Sequence, residues 1–133
     1  MKIIHVAVGI LTNVAGEVLI TRRPDHVHQG GLWEFPGGKV EEGEPAAAAL
    51  SRELHEELGI TVQAAEPWLR VRHDYPDQCV FLDVWRVVVW RGEPHGREGQ
   101  PLTWVLPAGL ETLAFPAADE PIITALTDTK PVK

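Results

Sequence analysis

Sulfur is nearly absent from this chain: 133 residues contain one cysteine and one methionine. Cys79 has no partner for an internal disulfide, and beside Val80-Phe81-Leu82 it reads as a small buried hydrophobe rather than a nucleophile. No apolar run approaches the roughly 20 residues needed to cross a bilayer, so no membrane partner is expected. The first eleven residues carry one basic side chain, place His5 inside their apolar run and lack a small-residue cleavage pattern before Thr12-Asn13. They do not resemble an export signal, and a cytoplasmic protein is expected. Basic residues are also scarce, 12 against 19 acidic, for a net charge of −7. That balance argues against a protein that coats nucleic acid. It leaves room for a nucleotide, because divalent ions can screen phosphates from an acidic protein.

What is present suffices for one globular unit. With 44% hydrophobic and 23% charged residues, and no repeat, low-complexity block or linker, a single domain over residues 1–133 is expected, with 128–133 as a frayed tail and a monomer as the default state. Ile3 to Leu11 reads as a buried strand, and Glu17 to Thr21 returns after a turn at Asn13 to Gly16, so residues 3–22 are expected to form a hairpin. A polar loop follows from Arg22. Leu32 to Phe35 reads as a short strand ended by Pro36-Gly37-Gly38. Trp68 to His73 and Val80 to Trp90, joined by a turn at Tyr75-Pro76-Asp77, read as an antiparallel pair. Arg91 to Pro101 is a loop, Leu102 to Leu106 a strand, Ala108 to Leu113 a short helix, and Glu120 to Leu126 a last helix opened by Pro121. Most of the five tryptophans fall in strand-like runs and are expected in the core rather than as stacking platforms.

The informative segment is the helix between Pro45 and Gly59. Proline suits the first helical position, Ala46 to Ala49 are strong helix formers, and Gly59 is a natural stop. Leu50, Leu54 and Leu58 recur every four residues as a core stripe. Beside that stripe stand Glu53, Glu56 and Glu57, at i, i+3 and i+4, on one face. Like charges at that spacing cost about 0.2–0.5 kcal/mol per pair. Near the C-terminus each also opposes the helix dipole by about 0.3–1 kcal/mol. A hard divalent cation would reverse both penalties, so this face is read as a Mg²⁺ site. Arg52, four residues before Glu56, is placed to orient a carboxylate. His55 points away from the acidic arc and reads as surface.

Gly38, five residues, Glu44, seven residues, then Arg52-Glu53-Leu54-His55-Glu56-Glu57-Leu58-Gly59-Ile60 resembles the Nudix box, G-x5-E-x7-REUxEExGU, at every specified position. The flanks Ala7 to Ile10, Ile20 to Arg23, Glu34 to Lys39, Gly92 to Pro94 and Arg97 to Pro101 resemble the MutT branch of that family, so the likeness spans almost the whole chain. The resemblance implies an α+β Nudix fold, an α/β/α sandwich with a mixed sheet and a loop–helix–loop catalytic motif. It implies Mg²⁺-dependent (or Mn²⁺-dependent) hydrolysis of a nucleoside triphosphate to monophosphate and pyrophosphate, with 8-oxo-dGTP the leading substrate and nucleotide-pool sanitation the role. Glu53 becomes the expected general base, assisted by Arg52. The expected ligands are Glu53, Glu56, Glu57, Glu98 and the backbone carbonyls of Gly37 and Gly38. Glu44 is either a helix cap or a residue behind the ligands. Arg23, His28, Phe35, Gln78 and Asp119 are expected on the substrate.

Two positions depart from the MutT pattern: Asp119 stands where that branch has asparagine, and Gln78 where arginine is common. An asparagine amide can donate to a purine O6 and accept from an oxidised purine's N7–H. An ionised aspartate can only accept, which suits the amino group of cytosine; a protonated one can donate. CTP or a modified cytosine nucleotide is therefore the alternative substrate. ADP-ribose-type hydrolysis fits the flanks less well. An inactive binding module would be expected to have lost Glu53, Glu56 or Glu57, and all three are present.

Overall fold

The computed structural model describes residues 2–27 and 30–128. In chain order the strands are β1 (Lys2–Ile10), β2 (Val18–Arg22), β3 (Trp33–Glu34), β4 (Gly37–Lys39), β5 (Thr61–Asp74), β6 (Gln78–Arg91) and β7 (Leu102–Val105). Helix α1 (Ala46–Leu58) lies between β4 and β5, while α2 (Pro107–Leu110) and α3 (Glu120–Thr127) follow β7. A single 3₁₀ turn, Ala117–Asp119, leads into α3 and was not anticipated.

The strands form two sheets, ordered β4-β1-β6-β5 and β3-β2-β7. In the larger, β1 runs parallel to β6 and antiparallel to β4, and β5 is antiparallel to β6, so the sheet is mixed. Alternation along the strands builds two cores. Val8 and Ile10 of β1, Val18 and Ile20 of β2, and Leu82 and Val84 of β6 face Leu110 of α2 and Ile122, Ile123 and Leu126 of α3. Ala7, Leu11, Leu19 and Val87 face Leu50, Leu54 and Leu58 of α1. Because the side-chain period of a strand is two, β1, β2 and β6 feed both layers, giving the expected α/β/α sandwich. All three leucines of the α1 stripe are fully buried, each stabilising by about 1.5–3 kcal/mol.

Two local expectations are corrected. The chain does turn back at Asn13 to Gly16, with an antiparallel Thr12–Val18 bridge and bonds from Asn13 N–H to the Glu17 carbonyl and from Leu19 N–H to the Leu11 carbonyl. The pairing expected over residues 3–22 stops there, because β1 and β2 belong to different sheets. Beyond the turn β1 pairs with β4 and β6, and β2 with β3 and β7. Nor does Pro36-Gly37-Gly38 simply end a strand, since Gly37 and Gly38 begin β4 and pair with Val8 and Ala7. Among the described residues no helix is long and apolar enough to cross a membrane.

Candidate active site

Helix α1 ends where the sequence places its stop. Gly59 adopts φ 71°, the left-handed conformation that glycine takes without penalty, and its N–H returns to the His55 carbonyl. The last turn leaves carbonyls without intrahelical donors, and the 91–101 loop satisfies them. His95 N–H donates to the Leu58 carbonyl (3.1 Å), Arg97 N–H to that of Glu57 (3.1 Å), and the Arg97 guanidinium to that of His55 (3.1 Å). Gln100 Nε2 donates to the same Glu57 carbonyl at 3.0 Å. The loop carrying Glu98 is thereby moored to the helix carrying Glu53 and Glu57.

The three helical glutamates have different surroundings. Glu57 is 8% exposed; its Oε2 accepts from Gly37 N–H (3.3 Å) and its Oε1 from Thr21 Oγ1 (3.4 Å). Burial above all, then the charges of Glu34, Glu98 and Glu53, push its carboxyl up to about 8, against the pull of the Gly37 N–H. Glu53 is half-buried; burial, Glu56 and Glu98 lift it, opposed by Arg52. Its carboxylate lies directly over Gly38, where any Cβ would collide with it. Glu56 is exposed at the outer margin, 3.7 Å from Arg52.

Arg52 organises this end. Its Nε and Nη2 grip both oxygens of Glu44 at 3.0 Å, Nη2 also reaches the Lys39 carbonyl (3.0 Å), and Nη1 holds Glu53 Oε1 at 2.7 Å. Glu44 does not cap the helix. Pro45 is the N-cap and makes no side-chain cap bond, whereas Glu44 accepts from Arg52 and from Glu41 N–H, which hold its carboxyl down at about 2. Glu44 therefore holds the Arg52 guanidinium, and the carboxylates in turn raise the Arg52 pKa.

Among the described residues no three Asp, Glu, His or Cys side chains stand as a ready coordination cluster. The geometry gives the reason: Glu53 is turned onto Arg52, and Glu57 onto Thr21 and Gly37. The donor set nevertheless fits a hard divalent cation. The charge of Glu98 helps to raise the pKa of both Glu53 and Glu57, and that of Glu53 helps to raise Glu57; a cation would remove that repulsion.

A cavity of about 300 Å³ adjoins this end, and Gly37, Gly38 and Lys39 are in its wall. Its polar groups come from scattered segments: Arg23, Glu34, Gln78 and Asp119. Phe35 also lines it and stacks on Phe115, with centroids 5.4 Å apart and planes at 27°. Asp119 is 8% exposed; burial first, then Glu34, raise its carboxyl to about 7, with Arg23 pulling the other way. Arg23 Nη1 donates to Glu34 Oε2 at 2.8 Å. Tyr75 supports the 3₁₀ turn by accepting the Ala118 N–H at 3.1 Å. A second cavity of about 250 Å³ lies beyond Arg23, between Arg22, Asp25, Glu98 and Gln100. His28 lies outside the described residues.

Arg23, Phe35, Gln78, Asp119, Gly37 and Gly38 thus share one cavity wall, and Glu53 and Glu57 border it through Gly37 and Gly38. Glu34 and Thr21 were assigned no role from the sequence. The available signal for Glu34 was a charge flanked by Trp33 and Phe35 in a two-residue strand. Thr21 offered none.

Comparison with known proteins gives a consistent picture. Residues 7–125 match the family model described as a NUDIX domain. An Escherichia coli K12 protein named 8-oxo-dGTP diphosphatase is 44% identical over 95% of this chain and 98% of its own length. Another from the same organism, named CTP pyrophosphohydrolase, is 38% identical over 94% and 92%. A solved chain from a structural study of MutT from Aliivibrio salmonicida and Vibrio cholerae aligns with TM-score 0.81 at 44% identity, covering 94% of this chain and 97% of that one.

Proposed function

The chain belongs to the NUDIX domain family, and from that premise we propose that it is a Mg²⁺-dependent nucleoside triphosphate pyrophosphohydrolase whose first substrate is 8-oxo-dGTP. The products are 8-oxo-dGMP and pyrophosphate, and the role is removal of oxidised nucleotides from the precursor pool. The observation that carries this reading is the junction at Gly37-Gly38. The half-buried carboxylate of Glu53 and the buried one of Glu57 stand on one side and a cavity of about 300 Å³ on the other.

Glu53, Glu56, Glu57, Glu98 and the Gly37 and Gly38 carbonyls are the groups that would hold the ion. When bound, it neutralises phosphate charge and promotes water ionisation. Glu53 Oε1 is occupied by Arg52, so Oε2, over Gly38, is the oxygen placed to take a proton from the attacking water. The lifted Glu53 pKa makes that oxygen a better base. As the water oxygen bonds to phosphorus the anhydride bond breaks, and the electron pair leaves with pyrophosphate. Arg23, held by Glu34, presents its guanidinium to phosphate oxygens.

Asp119 reads the base. Protonated, it donates to a purine O6; ionised, it accepts from the cytosine amino group. Its pKa of about 7 supports the purine reading below neutrality and keeps cytosine nucleotides as the second reading, in line with the relative named CTP pyrophosphohydrolase. The deciding experiment is a kcat/KM panel of 8-oxo-dGTP, dGTP, CTP, 5-methyl-dCTP and ADP-ribose. Preference for 8-oxo-dGTP is expected; a strong preference for either cytosine nucleotide overturns the ranking.

A further inference from the structure

Glu98 is the one expected ligand that does not come from α1 or β4. It sits on an exposed loop between Glu93 and Pro101, where a long side chain has little to hold it. One side chain ties its backbone to the helix. Gln100 Oε1 accepts the Glu98 N–H at 3.0 Å, while Gln100 Nε2 donates to the Glu57 carbonyl at 3.0 Å. Both ends of a single amide are thus used, one on each of two residues whose carboxylates repel each other. Gln100 is itself half-buried and lines the smaller cavity together with Glu98. An amide suits this bridge because it is neutral and offers a donor and an acceptor on one rigid plane. A glutamate of equal length would lose the donor and add another negative charge.

We infer that Gln100 is a positioning residue that sets the spacing of Glu98 and Glu57 and so tunes divalent-cation affinity. This rests on the proposed reading of Glu98 and Glu57 as ligands. Groups that orient metal ligands typically contribute about 10–100-fold to metal affinity. The remaining loop moorings, through His95 and Arg97, do not involve the Gln100 side chain, so the loop stays docked when that side chain is removed.

The test is Mn²⁺ binding to the nucleotide-free protein, measured by electron paramagnetic resonance, for wild type, Gln100→Ala, the isosteric Gln100→Met, and Glu98→Ala, with Tm recorded for each. Both Gln100 variants are expected to weaken Mn²⁺ binding about tenfold, with Tm nearly unchanged. They should also raise the Mg²⁺ concentration for half-maximal activity while leaving the nucleotide KM at saturating Mg²⁺ close to wild type. Should Gln100→Ala fold poorly, Gln100→Met carries the comparison. If Glu98→Ala weakens Mn²⁺ binding and the Gln100 variants do not, the positioning role is wrong and the ligand reading stands. If Glu98→Ala itself leaves Mn²⁺ binding unchanged, Glu98 is no ligand and both ideas fall.

Discussion

At one end of the cleft three of the four carboxylates come from little more than one turn of a helix; at the other, the polar side chains of Arg23, Glu34, Gln78 and Asp119 come from four separate segments. In the first case helical spacing puts Glu53, Glu56 and Glu57 on one face, and packing then sorts them. Glu57 is buried beside Leu54 and Leu58, while Glu56, one residue earlier, is left in solvent. In the second case only the fold creates proximity. Both ends hold a buried carboxylate lifted by desolvation and by Glu34, Glu57 to about 8 and Asp119 to about 7. The difference lies in the remedy available. Glu57 has further carboxylates around it and calls for a cation, whereas Asp119 has Arg23 within electrostatic reach and can settle its charge by taking or releasing a proton.

The largest effect should come from disabling the helical end alone. Glu53→Gln removes the proton acceptor and is expected to lower kcat about 10²–10⁴-fold, with circular dichroism and nucleotide binding largely preserved. Turnover near the wild-type rate would take Glu53 out of the mechanism.

A smaller effect should isolate the other end. Below its raised pKa Asp119 is protonated and donates; above it, the ionised group only accepts. The ratio of kcat/KM for 8-oxo-dGTP to that for CTP should therefore fall about tenfold as pH rises through neutrality, and Asp119→Asn should flatten it. Using the ratio cancels ionisations that affect both substrates alike, Glu57 among them. A wild-type ratio insensitive to pH would show that Asp119 does not read the base.

The smallest effect concerns stability and separates the two remedies. A carboxyl with a raised folded pKa binds protons in the folded state that the unfolded chain has already released, so its folded form loses stability as pH rises. For Asp119 that window runs from its ordinary value of 3.8 to about 7, and for Glu57 from 4.5 to about 8. Without divalent ions Tm should fall between about pH 5 and pH 8, by about 3–5 °C for each kcal/mol lost. Mg²⁺ should restore the part due to Glu57 and leave the part due to Asp119. Equal stabilisation by Mg²⁺ at both pH values would detach Glu57 from the cation.

Much of the architecture was legible from residue order. The helix from Pro45 to Gly59, its leucine stripe and the β5–β6 pair emerge from periods of 3.6 and 2 and from the turn at Tyr75-Pro76-Asp77. The pairing of β1 with β6 was not, because a parallel partner some seventy residues away leaves no local mark. The same holds for Gly37 and Gly38, whose turn composition concealed a strand pairing with β1. At the site, Arg23, Gln78 and Asp119 stood out by comparison with a family pattern. Glu34 did not, since its influence on Arg23, Glu57 and Asp119 exists only once β3 lies between them.

The amino-acid sequence alone determined a helix with a leucine stripe and an acidic arc beside it, because short-range periodicity controls which side chains share a helical face. Tertiary structure alone decided which of those acids is buried, which oxygen of Glu53 remains beside Gly38, and that Asp119 shares a cavity wall with Gly37. Burial and Coulomb coupling depend on distance through space, and segments far apart in the chain acquire those distances only when two sheets and their helices pack together.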